Sequence, residues 1–226
     1  MAEPPLLEFL EVMRRLRAEC PWKAEQTHRS LARYLLEETH ETLEAIDAGD
    51  ATGDWSHLRE ELGDLLLQVY FHAVVAEERG DFTIDDVARD ITAKMHRRNP
   101  HVFGGPDDSR PDLTAAEVDE AWQAIKATEK QRDSVTDGLP DTLPALLYAA
   151  KVLERSGTEP IRLRPAAEDD PSDRRRIGER LLALVAEAVD SGVDPEQALR
   201  DAVRRRPRAA DRSADSDPGP SRLGGT

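Results

Sequence analysis

A chain of 226 residues has room for one domain with an appendage or for two small domains. Its 46 acidic residues outnumber 31 basic ones, and the net charge of -15 excludes a general binder of nucleic acid or anionic membrane, since both are polyanions. Cys20 is the only cysteine, which excludes an intramolecular disulfide and a thiolate zinc cluster and makes the cytoplasm the default location.

Leu6, Leu7, Leu10, Met13 and Leu16 recur at helical spacing and predict a first amphipathic helix over 5–18. The preceding residues lack a basic region followed by an apolar one, so no secretory leader is expected, and no apolar run reaches the length of a membrane span. Pro21 in "CPWKAEQTH" stops that helix, and Ser30 is the expected cap of the next, which runs to about Ala48 before "AGDATGD". A third helix is predicted from about Trp55 to Arg79, ended by Gly80. Thr83 or Asp81 caps a fourth, which stops before Asn99-Pro100. "NPHVFGGPDDSRPD" reads as a loop, 114–131 as a fifth helix, "DGLPDTLP" as a boundary and 145–155 as a further helix. Period-2 alternation is missing throughout, so the class is all-α. After about residue 156 the chain becomes polar and linker-like, then gives a modest helix pair at 176–189 and 195–205. The last residues have no apolar periodicity and are expected to be disordered.

The second and third helices carry acids where apolar residues belong. Leu31, Leu35, Thr42 and Ala45 form one stripe of the second, and Glu38 and Glu41 fall inside it. On the third, Leu58 and Leu65 flank Glu61, with Asp64 as its i+3 neighbour. The residues from 42 to 60 are enough to finish one helix, turn and begin the next, so antiparallel packing would gather all four acids. Clustered carboxylates in a partly buried place repel one another and lose hydration unless protons or cations compensate. Oxygen-only ligands favour Mg²⁺ or Mn²⁺ over zinc, and magnesium usually shares its shell with phosphate oxygens and water. The acids therefore point to a phosphate-bearing substrate. Acidic pairs on helices more often lie on solvated faces. Here "LLLQVYFHAVVA" (65–76) is apolar nearly all round, which implies burial on several sides, including against another subunit. A di-iron bundle would need an ExxH on each of two helices; Glu37 and His40 make one, and no second appears.

These stretches, with "CPWKAEQTHRSL" and "KMHRRNPHVFG", resemble the MazG-type nucleoside triphosphate pyrophosphohydrolases of the all-α NTP pyrophosphatase superfamily. The resemblance covers about residues 6–155. It implies a helical bundle that hydrolyses NTPs or dNTPs between the α- and β-phosphates to NMP and pyrophosphate, as nucleotide-pool house-cleaning. It implies that Glu38, Glu41, Glu61 and Asp64 hold Mg²⁺, with Mn²⁺ as an alternative ion, and that protomers form a homodimer through their bundles. Glu37 either orients or deprotonates the attacking water, or is a solvated partner of Arg33. "KMHRR" supplies Lys94, Arg97 and Arg98, and "WQAIK" supplies Trp122 and Lys126. Such cations would complete a phosphate clamp. By resemblance Lys94, Arg98, Trp122 and Lys126 contact the substrate; otherwise Lys94 and Arg98 complement a helix C-terminus and Trp122 fills the core. Trp22 could cover a base, or staple the chain ahead of the next helix.

Many members of this family carry two tandem copies. Here residues 177–207 echo 62–98, with Gly178 matching Gly63 and Glu179 matching Asp64, but Arg176 falls where Glu61 stands and no EExxE precedes it. The expected organisation is a catalytic domain over 1–136, a linker with a degenerate, inert second copy over 137–207, and a tail over 208–226. The readings outside this one are a regulatory or scaffold helical dimer without turnover, and a narrow pyrimidine-dNTP or histidine-pathway pyrophosphohydrolase. Pyrophosphate release with and without Mg²⁺ separates enzyme from scaffold.

Overall fold

A computed structural model describes residues 4–105, 113–129, 133–156 and 173–206. Every regular element among them is a helix. The chain divides into two compact units, Met1–Glu129 and Lys130–Thr226.

In the first unit, α1 (Pro5–Glu19) buries Leu10 and Met13. Pro21 starts the single turn α2 (Pro21–Ala24). α3 (His28–Thr52) is capped by Thr27, not Ser30. The Thr27 hydroxyl accepts from the Ser30 backbone N–H and the Ser30 hydroxyl accepts from that of Thr27, a reciprocal box that satisfies two otherwise unpaired donors. The helix continues past Ala48 to Gly53, whose φ of 75° ends it at little steric cost. α4 (Ser56–Glu77) follows after three residues. Gly49 of α3 lies against the Trp55 ring so closely that an added Cβ would stand 2.4 Å from it. α5 (Ile84–Arg98) opens on a Thr83–Asp86 box, and α7 (Ala115–Thr128) on a Thr114–Glu117 box. Between them, the stretch read as loop begins with another single turn, α6 (Pro100–Phe103); Pro100 sits in its first turn, where a missing N–H costs nothing.

α3 and α4 pack along their lengths as an antiparallel hairpin, α1 packs on α4, α5 on α4 and α7 on α5. Leu10, Met13, Leu31, Tyr70, Phe71, Val74 and Val75 form the core. Arg14 pairs with Glu77 at 2.6 Å and Arg17 with Glu78 at 2.7 Å, fastening α1 to the end of α4. The apolar run of α4 is covered largely within the chain: Gln68, Tyr70, Phe71 and Ala73 to Ala76 are buried. Leu62 and Val69 remain outside, half and 39% exposed.

At the start of α3, His28 stacks on His72 of α4, the rings 5.1 Å apart and the two Nδ1 atoms 2.8 Å apart. One nitrogen must donate and the other accept, so this contact needs a neutral ring. Burial, and then the neighbouring His28, hold His72 below the ordinary histidine value of 6.5, and its buried Nε2 has no partner among the described residues. An unfolded chain then binds the extra proton more readily than the folded one. Stability is therefore present above pH 6.5 and lost as pH falls below it. Urea titrations between pH 8 and 5 should show this slope, and His72→Gln should flatten it; an unchanged slope would assign the loss to other groups.

The second unit contains α8 (Ala145–Ser156), α9 (Asp173–Asp190) and α10 (Pro195–Arg204), the last capped by Asp194. Its core is Ala150, Leu153 and Val185, flanked by Leu146, Leu182 and Val189. The linker expected after 156 and the tail after 207 lie outside the described residues.

Candidate active site

The buried row of α3 is Leu31, Thr42, Ala45 and Gly49. Glu38 stands on the same row between Leu31 and Thr42 and is half-buried. Leu35, expected in that row, is 37% exposed, and Glu41 lies on the exposed side. Across the hairpin, Glu61 is only 8% exposed and Asp64 is half-buried. Carboxylate oxygens of Glu38, Glu61 and Asp64 all lie within 4.8 Å of one another. Three of the four acids are thus one cluster. Glu41, a turn beyond Glu38, adjoins it from the rim, near enough for its charge to act on Glu38.

Burial raises the Glu38 carboxyl above its usual range, and the charges of Asp64, Glu41 and Glu37 push in the same direction. No lysine or arginine forms an ion pair with Glu38, Glu61 or Asp64 among the described residues. The contact nearest to one is the half-exposed His57, whose Nδ1 lies 3.3 Å from Glu61 Oε1. A hard divalent cation would relieve this repulsion, and the donor set of carboxylate oxygens fits one. Neither Glu37 nor His40 belongs to the cluster, and both are exposed. Arg33 does not pair with Glu37; its guanidinium lies over the Tyr34 ring, 4.7 Å from the centroid.

A second group gathers where α5 meets α7. The Arg98 guanidinium and the Lys126 ammonium both lie over Trp122, at 4.9 and 4.8 Å from the ring centroid. Trp122 is half-buried, which leaves part of its ring in reach of a ligand. Glu129, just past the end of α7, accepts from both arginines, at 2.5 Å from Arg98 Nη2 and 2.8 Å from Arg97 Nε. Arg98, then Arg97, hold its carboxyl down to about 2. Glu129 is the residue that the motifs did not indicate: it sets the direction of Arg98 and occupies Arg97. Lys94 is half-buried one turn before Arg98. Trp22 is half-exposed and meets Tyr34 edge-on, 5.8 Å between ring centres, so it anchors the entry to α3.

An all-helical domain whose central hairpin carries a cluster of oxygen donors, with cations stacked on an aromatic ring at a neighbouring helix junction, is the class of protein that fold and site define. Residues 26–103 match the MazG nucleotide pyrophosphohydrolase domain. A Thermotoga maritima protein named nucleoside triphosphate pyrophosphohydrolase/pyrophosphatase MazG is 37% identical, over 88% of this chain and 81% of that protein. The chain belongs to the MazG family. An uncharacterised 26.1 kDa protein of Streptomyces cacaoi is 47% identical over 88% of this chain and 78% of its own length. A nucleoside triphosphate pyrophosphohydrolase of Mycobacterium tuberculosis is 42% identical over 88% of this chain, which spans only 54% of that longer protein. The crystal structure of a MazG-related protein from Thermotoga maritima aligns with a TM-score of 0.44 at 24% identity, over 53% of this chain and 97% of that one. No helix among the described residues is long and apolar enough to cross a membrane.

Proposed function

We propose that this protein hydrolyses nucleoside triphosphates, ribo or deoxy, between the α- and β-phosphates, giving a nucleoside monophosphate and pyrophosphate and clearing unwanted nucleotides from the pool. The observation that carries the reading is the meeting of Glu38, Glu61 and Asp64 within 4.8 Å. Family membership and the named activity of relatives such as the Thermotoga maritima protein support it.

In this reading Glu38, Glu61 and Asp64, with Glu41 at the rim, hold Mg²⁺ or Mn²⁺. Bound there, the ion supplies charge neutralisation on phosphate oxygens and a water of lowered pKa. The protein's own contributions follow from its side chains. Glu61, buried, and half-buried Asp64 stand on one helix, which fixes where carboxylate charge sits. Glu37, exposed beside Glu38 and outside the cluster, would orient a water or accept its proton. Lys94, Arg98 and Lys126 offset the phosphate charge that the acids would otherwise repel. Glu129 holds the Arg98 fork in place, and the Trp122 face offers a surface for a base. Homodimerisation would cover Leu62 and Val69 of α4, and the single free thiol suits the cytoplasm.

The direct test is pyrophosphate release from a mixture of NTPs with and without Mg²⁺. Release only with the ion is expected; monophosphate release as inorganic phosphate, or none at all, would replace the reading with a phosphatase or a non-catalytic helical dimer. In the register of the sequence echo, Arg176 falls at the position of Glu61 and no EExxE precedes it in the sequence. A chain truncated after residue 136 should therefore keep its turnover per site. Loss of activity in a truncated chain with intact helical circular dichroism would give the second unit a catalytic role.

A further inference from the structure

We propose that Gln68 is a positioning residue of the candidate metal centre, whose amide oxygen accepts a hydrogen bond from a water bound to the divalent cation held by Glu38, Glu61 and Asp64. The inference rests on the metal reading of that cluster and adds a neutral oxygen to it. Gln68 is only 4% exposed, and its Oε1, closed off from solvent, accepts from no donor among the described residues. An unpaired acceptor in the interior costs free energy that an apolar side chain of the same size would not. Leu65, Leu66 and Leu67 precede it and Val69 follows, so the helix does not lack apolar residues here. Such an atom calls for a donor that arrives from outside the chain.

Its place on the hairpin names that donor. Glu61, Asp64 and Gln68 follow one another at three and four residues, so they form one stripe of α4. Glu61 and Asp64 meet Glu38, which turns the stripe toward α3. One turn further on, His72 lies on the same stripe and meets His28 of α3, Nδ1 to Nδ1 at 2.8 Å. Gln68 therefore stands in the α3–α4 seam, between the acids and the histidines. Helical side chains lean toward the N-terminal end of their helix, which from Gln68 is the direction of Asp64.

The chain's own groups do not supply the bond. Ionised carboxylates only accept, so the acids cannot serve Oε1. The Thr42 hydroxyl, on the buried row of α3, donates to the Glu38 carbonyl at 2.7 Å. His72 Nε2 also lacks a partner, but it belongs to the turn on the far side of Gln68 from the cluster. A magnesium or manganese ion held by a few carboxylates keeps several waters, and each is a donor strengthened by the ion's charge. Groups that hydrogen-bond to what the metal binds fix its shell and tune its affinity.

The test uses the full chain and Mn²⁺ alone, with free ion counted by electron paramagnetic resonance and metal-free stability read from urea unfolding in chelator. Gln68→Met keeps the volume and removes the acceptor. It should weaken Mn²⁺ binding about 10–100-fold. The metal-free urea midpoint should hold or rise, because a buried unpaired atom is gone. Gln68→Glu keeps the oxygen and should bind Mn²⁺ at least as tightly as the unaltered chain. A Met variant with undiminished affinity overturns the proposal. So does one that loses affinity and stability together, which makes Gln68 a packing residue, and so does a Glu variant as weak as the Met variant. His72→Leu should leave Mn²⁺ affinity unchanged; a fall matching that of Gln68→Met would pair Gln68 with His72 and not with the ion. The metal reading fails by different signs. An unaltered chain that binds no Mn²⁺, or Glu61→Gln that binds it equally well, overturns both. Binding by the unaltered chain, its loss in Glu61→Gln and no change in Gln68→Met overturn this inference alone.

Discussion

Glu61→Gln is expected to abolish metal-dependent turnover while the helical circular dichroism stays unchanged. Glu61 is the most buried of the clustered acids, at 8% exposure; it faces Glu38 across the α3–α4 hairpin and lies beside Asp64 on its own helix. The amide keeps the volume and one oxygen but loses the charge that a divalent cation requires. Changes to groups that merely orient a metal ligand typically cost 10–100-fold, so loss of a ligand should exceed about 100-fold. The same substitution removes one member of a repelling group, so stability without metal should hold or rise. Isothermal titration with Mn²⁺ and a pyrophosphate assay together check this. Near-normal turnover would end the assignment of this cluster as the metal site. Lost turnover with lost helicity would instead make Glu61 a structural residue.

The next largest effect is expected at the junction of α5 and α7. In the proposed reading, Lys126→Ala or Lys94→Ala removes a charge that would face phosphate and leaves the four acids of α3 and α4 unchanged. A hydrogen bond to a charged group contributes about 1.5–3 kcal/mol, or roughly one to two decades in kcat/KM. The loss should be similar for ATP, GTP, CTP, UTP and their deoxy forms, since phosphate contacts do not read the base. Trp122→Ala should instead reorder the nucleotides. Glu129→Gln frees the two arginines from their shared carboxylate and should produce a milder version of the lysine effect, through lost positioning of Arg98. If Lys126→Ala reordered the bases while Trp122→Ala lowered all of them equally, the two roles are exchanged.

The helices were legible because their punctuation is local. Pro21, Gly53, Gly80, Thr83 and Pro100 act within one turn of themselves, and each ends or starts a helix at or near its expected place. The cap of α3 was misplaced by three residues because a reciprocal box has a hydroxyl at both ends, and Thr27 and Ser30 look alike until the backbone is seen. The wheel put Glu38 on the inner row but could not separate it from Glu41 and Leu35. Which edge of a stripe is covered depends on how the neighbouring helix crosses it, and that angle is not a property of the stripe. Glu129 was invisible for a different reason. Its partners lie 31 and 32 residues away, with no spacing rule to link them. The clamp's cations were visible as types, but their stacking on Trp122 is a product of tertiary packing.

The three clustered acids come from two helices that are neighbours in the chain, joined by only three residues. Heredity treats such a site differently from one assembled out of distant segments. A dispersed site decays by scattered substitutions, each tolerated or purged separately. Here a single in-frame deletion that removes α3 takes Glu38 and Glu41 together and strands Glu61 and Asp64 on a helix with no counterpart. Duplication of the hairpin likewise carries the acids as one unit. Copies built on this plan should therefore be gained and lost whole, with the spared helix free to drift.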